Sequence, residues 1–148
     1  MSHEALELAC DPYGDRWVRL PSGLVTALEV ADAVEEDRYV IRATVGGASR
    51  DVWVSNFVHP AWFGEGVGQL DHMGLCKAPG DNRGYLIIQQ DDGSIVNVFA
   101  PHASADYQAR VNAKLGDARS RTAYRHRPDT LHTYITPGIV GPVEWAAP

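Results

Sequence analysis

His59, Asp71, His72 and His102 are the side chains of this sequence whose types best suit zinc or iron, because imidazole nitrogens and carboxylate oxygens are the usual ligands of those ions. Their spacing argues against such a site. The histidines do not form the HxH or HxxxH patterns that put two imidazoles on one face of a strand or helix, and adjacent Asp71 and His72 point apart in any regular element. The expectation is of loop histidines bonded to backbone, with no metal site and no cofactor. Cys76 with His72 or His102 could form a nucleophile and base, provided that a nearby cation stabilised the thiolate. Leu75 before it suggests simple burial instead. Glu65 and Asp71 could serve as paired carboxylates, but flexible glycines separate them.

Gly64-Glu65-Gly66-Val67-Gly68 resembles a phosphate loop only in composition. It fits neither GxGxxG nor GxxxxGK[ST], and no helical pattern follows to present its N-terminus. The aromatic pair before it, Trp62 and Phe63, sits between Pro60 and Gly64, as an exposed anchor for a partner or ligand would. The commoner fate of such aromatics is to fold back over the core.

Charge gives a further candidate surface. Between Arg110 and Arg127 six cations stand against the single acid Asp117, whereas residues 1–37 hold nine acids and two bases. At about 100° per residue, Arg110, Lys114, Arg121 and Arg125 form one stripe on a helix. A solvated helix face is one account of it. Another is head-to-tail assembly, in which the stripe meets the acidic region of a second copy or another acidic protein surface. The net charge of −6 over 148 residues speaks against nucleic acid as the partner.

The elements that must position these residues follow from pattern. Residues 84–90 and 94–100 flank Asp91-Asp92-Gly93, an Asp-Gly turn between β-branched and aromatic runs, and read as a hairpin. Arg38–Val45 and Asp51–Val58 read as a second hairpin across Gly46-Gly47, with period-two alternation. Trp17–Leu20 and Leu24–Val30 read as strands around a Pro-Ser-Gly turn, and Leu131–Thr136 as a last strand. Between the hairpins, His59–Arg83 is rich in glycine and proline and reads as a long irregular excursion, of the kind that usually serves a function or an interface. Ser104 caps a helix expected to run to Arg125, with Tyr107, Val111, Leu115, Ala118 and Thr122 as its buried stripe and Gly116 as a point of weakness.

These elements predict a mainly β (α+β) domain spanning 1–148, a small antiparallel sandwich or open barrel of about six strands with one C-terminal amphipathic helix. The 45% apolar content suits a folded core. Two cysteines, Cys10 and Cys76, are too few for a disulfide scaffold. No apolar run approaches membrane-spanning length, and the acidic Met1–Glu7 stretch does not resemble an export signal. The sequence thus points to a cytoplasmic protein, or a virion component, that does not engage membranes. Its leading functional expectation is a non-catalytic, self-associating structural or binding module, with a virus-like or phage-type particle as one setting. A small hydrolase or lyase using His72 or His59 in a pocket roofed by Trp62 and Phe63 is the alternative, and a nucleic-acid or nucleotide binder through the basic helix is a third.

Overall fold

A computed structural model describes residues 2–116 and 133–135. Helix α1 (Ser2–Cys10) precedes strands β1 (Arg16–Arg19) and β2 (Val25–Ala27), and a 3₁₀ turn (Asp32–Val34) follows. Strands β3 (Arg38–Val45) and β4 (Ala48–Ser55) come next, then a 3₁₀ turn at Pro60–Phe63 within the long excursion. Strands β5 (Tyr85–Gln89) and β6 (Ile95–Phe99), helix α2 (Ala105–Ala113), a 3₁₀ turn (Lys114–Gly116) and β7 (Thr133–Ile135) complete the described chain.

The fold is mainly β, with open sheets. One sheet has the order β6-β5-β2-β1-β7, and the other contains β3 and β4 alone. All neighbours are antiparallel except β1 and β7, which run parallel. Alternation in the five-stranded sheet sends Trp17, Ala27, Tyr85 and Ile87 to one face, where Tyr107 and Val111 of α2 cover them. Val18, Leu86 and Ile88 point to the other face. That face is covered by Ala33, Val34 and Val58 and by Trp62, Phe63 and Cys76 of the excursion. The unbroken apolar run Tyr85–Ile88 follows from this, since a strand covered on both faces cannot alternate with polar residues.

Several boundaries differ from the sequence-based expectation. Gly46 and Gly47 both take positive φ, 59° and 81°, which closes the β3–β4 hairpin in two residues. The second strand therefore starts at Ala48 and ends at Ser55. Val58 instead makes an isolated bridge to Asp71, and its N–H donates to the Val30 carbonyl at 2.7 Å. Helix α2 is capped as expected, with the Tyr107 N–H donating to Ser104 Oγ at 3.2 Å. It gives way to the 3₁₀ turn at Lys114, which changes the angular step and leaves Leu115 40% exposed, not buried. Ala118, Arg121, Thr122 and Arg125 lie outside the described residues. Helix α1 was not expected at all. Only Glu7 of its residues is buried.

Gly84 shows how tightly β5 meets the Asp32–Val34 turn. The N–H groups of Arg83 and Gly84 both donate to the Ala33 carbonyl at 2.8 Å. A Cβ at Gly84 would collide with the Asp32 carbonyl oxygen and lie 2.9 Å from the Glu35 nitrogen.

Candidate functional site

The foot of the β3–β4 ribbon meets α1 and the Asp32–Val34 turn. There the Ser55 N–H donates to Ser2 Oγ at 3.0 Å, and the Asn56 N–H donates to the Asp37 carbonyl at 2.9 Å. Asp37 also pairs with Arg83, with Nε 2.9 Å from Oδ2, which ties the end of the excursion to the ribbon's base. In the β3–β4 register Arg38 lies opposite Ser55 and Val40 opposite Trp53, so Arg38 and Trp53 are diagonal neighbours on one face. The Arg38 guanidinium lies 5.2 Å from the Trp53 ring centre. With Glu35 they line an open cavity of about 280 Å³ that also reaches His3.

Behind that cavity His3, Glu7 and Asp32 converge. His3 and Glu7 are one helical turn apart on α1, and the 3₁₀ turn brings Asp32 up to them. His3 Nε2 lies 3.1 Å from Asp32 Oδ1 and 3.1 Å from Glu7 Oε1. Glu7 and Asp32 are buried, at 2% and 4% exposure. Burial opposes the charged form of His3, but its hydrogen bond to Asp32, its ion-pair contact with Glu7 and the negative charge of both carboxylates outweigh that and push its pKa up to about 10. Glu7 is pushed well above its ordinary value, first by burial and then by the charge of Asp32 and Glu29, with His3 opposing. One imidazole thus faces two buried carboxylates, with buried Glu29 adding further negative charge.

One nitrogen and two carboxylate oxygens within 4.8 Å of one another make a donor set for a divalent ion. A search for paired imidazoles passes over this set, because the helical partner of His3 is a carboxylate. The signal in the sequence is the four-residue step from His3 to Glu7, and nothing local announces Asp32.

Compared with protein-family models, with curated proteins and with solved structures, the chain matches none. The residues themselves therefore carry the functional reading.

The sequence-predicted candidates divide among several places. Asp71 is fully buried and serves as a structural hub, accepting from Asn56 Nδ2 at 2.7 Å and from the Cys76 N–H at 2.9 Å. Burial would raise its pKa, but Asn56 and the backbone N–H groups of Cys76, Leu75 and Met73 together hold it below the ordinary value. Cys76 is buried beside it. Burial, then the charges of Asp71 and Asp81, push its thiol up to about 12, so the proposed nucleophile stays protonated at neutral pH. His59 and His72 flank Phe57, with ring centres 5.4 and 5.0 Å from it, and Tyr39 lies 4.7 Å from His72. The two imidazoles join no metal-ligating trio among the described residues. His102 is exposed in the turn before α2.

Trp62 and Phe63 are core residues, at 1% and 5% exposure, and not an exposed anchor. Trp62 Nε1 donates to the Asp81 carbonyl at 2.8 Å, which satisfies its polar group in place. Phe63 does line an apolar cavity of about 300 Å³, whose ionisable side chains are Cys10 and Glu65, with no histidine. Asp71, the suggested partner of Glu65, is absent from its lining. Neither His59 nor His72 lines this cavity beside Phe63.

The basic stripe is engaged within the chain as far as it is described. Lys114 Nζ lies 3.2 Å from Glu35 Oε1, and the Tyr107 hydroxyl donates to Glu35 Oε2 at 2.8 Å. Arg110 stacks over the Tyr107 ring at 5.5 Å. The acidic region and this part of the helix thus meet inside one chain. Among the described residues no helix is long and apolar enough to cross a membrane.

Proposed function

We propose that this chain is a non-catalytic, self-associating module, and that a second copy docks on the β3–β4 ribbon. The observation that carries this reading is the ribbon itself. Eight residues per strand pair only with each other among the described residues, and Val40, Ile41, Val52 and Trp53 are 37–63% exposed. The register puts Val40 and Trp53 on one face and Ile41 and Val52 on the other, so both faces carry exposed apolar side chains. A lone two-stranded hairpin is marginal in water, and its free edges are templates for another chain.

Charge complementarity argues for a second copy as the occupant. The ribbon holds Arg38, Arg42 and Arg50 against Asp51, whereas the other described residues hold six cations against fifteen acids. A basic, apolar ribbon on an acidic body is complementary to another body of the same kind. A larger virus-like or phage-type particle is one setting in which such head-to-tail contacts are used.

Size-exclusion chromatography with light scattering at low and high salt tests the reading. The expected result is an oligomer at low salt that shifts toward monomer as salt screens the arginines, and a monomer at both salts for the folded Ile41→Ser, Trp53→Ser variant. A wild-type monomer at every concentration and salt overturns it, as does an oligomer that the double variant leaves intact.

A further inference from the structure

We propose that His3, Glu7 and Asp32 bind one divalent first-row transition-metal ion, zinc(II) by preference, with the remaining coordination position open toward the cavity at the foot of the ribbon. The geometry is the first support. Ligand atoms held about 2.0–2.2 Å from one ion at tetrahedral or octahedral angles lie about 3–3.5 Å apart. His3 Nε2 stands 3.1 Å from each of Glu7 Oε1 and Asp32 Oδ1, and all three atoms fall within 4.8 Å. They come from two elements whose backbones are fixed independently, α1 through the Ser2 contact to Ser55 and the 3₁₀ turn through the contacts of Ala33 with Arg83 and Gly84.

The second support is Glu7 Oε1, which is buried and accepts no hydrogen bond although it faces His3. The hydrogen bond of His3 Nε2 is made to Asp32 Oδ1. A buried carboxylate oxygen left in that state is costly, and an ion in the place of the Nε2 proton would bond both carboxylates and the imidazole at once.

Ligand chemistry selects the ion. Calcium calls for six to eight oxygen donors, and magnesium for octahedral oxygens with several waters, neither of which a trio containing an imidazole supplies. One nitrogen and two carboxylates suit zinc and its neighbours. Three protein donors leave a position for water, and the 280 Å³ cavity reaching His3 gives solvent a way to it. The site needs no second copy, so it stands or falls separately from self-association.

The test is titration of the tag-free full chain with cobalt(II), read by its visible d–d absorption, followed by displacement with zinc and calorimetry with zinc alone. The expected result is a saturable spectrum at one equivalent, lost on adding zinc and untouched by magnesium or calcium. His3→Ala and Glu7→Gln should each weaken binding at least about tenfold, whereas His59→Ala should leave it unchanged. Circular dichroism of each variant checks that α1 remains. If removing His3 melts the helix, the wild-type spectrum still decides: a folded wild-type chain that gives no cobalt bands overturns the proposal. So does binding retained by both variants.

Discussion

Trp62 and Trp53 are the same residue type in two regions that solve burial in opposite ways. Trp62 sits in the layer that the excursion lays over the five-stranded sheet, 1% exposed, with its indole N–H donated to Asp81. Trp53 stands on the β3–β4 ribbon at 63% exposure, with the Arg38 guanidinium over its ring. The five-stranded sheet is covered on one face by α2 and on the other by irregular chain. The ribbon pairs with no other strand among the described residues and keeps its apolar side chains in water. The long excursion is thus a structural layer, whereas the regular hairpin carries the exposed apolar side chains.

The contrast can be broken most sharply at Trp62. Trp62→Ala removes a large core side chain and should cost about 3–5 kcal/mol in urea denaturation, enough to leave much of the protein unfolded. A loss under about 1 kcal/mol would show that the excursion does not cover the sheet as a packed layer.

Next in size is the hub that anchors that layer. Asn56 donates to Asp71, and its Oδ1 accepts from the N–H groups of Phe57 and Met73. Asn56→Ala should cost about 2–3 kcal/mol near neutral pH, because it strips a hydrogen bond from a buried carboxylate and leaves two N–H groups without their acceptor. The sign of the pH dependence follows from Asp71, whose folded pKa lies below the ordinary 3.8. Its contribution is complete above that value and is lost as pH falls through the folded pKa. Acid titration followed by tryptophan fluorescence should therefore show Asn56→Ala unfolding at higher pH than wild type.

A smaller loss is expected at Gly84. Gly84→Ala forces a methyl group against the Asp32 carbonyl and should destabilise by about 1–3 kcal/mol, read as a lowered urea midpoint with an unchanged slope. The smallest effect belongs to the ribbon. Trp53→Ala should change monomer stability by about 1 kcal/mol or less, measured by urea denaturation at low protein concentration, and if copies dock on the ribbon as proposed it should remove most of that self-association in light scattering. A large stability loss at Trp53 would make the ribbon part of the core and erase the contrast.

Much of this fold was legible in local pattern. The β5–β6 hairpin was announced by Asp-Gly between two β-branched runs, β3 and its turn by Gly46-Gly47, and the start of α2 by Ser104. Turn chemistry and strand alternation are set by neighbours in sequence, so they can be read there. Less was legible of α1, which is held by Ser2 and His3 reaching residues about thirty to fifty positions away. The candidate site was missed for the same reason. His3 and Glu7 are readable as a helical pair, but Asp32 joins them only because β1, β2 and the 3₁₀ turn fold back beside α1.

Local pattern was enough to specify open, mainly antiparallel sheets with a capped helix after them, because turns, caps and alternation act over a few residues. It did not determine which apolar residues would be inside. Trp62 and Phe63 sit among glycines and prolines like exposed anchors and are core. Val40, Ile41, Val52 and Trp53 sit in regular strands like core and are exposed. Burial is a property of what packs across from a residue, so it emerges only in the folded chain, where the excursion takes the sheet's face and the ribbon has no cover among the described residues.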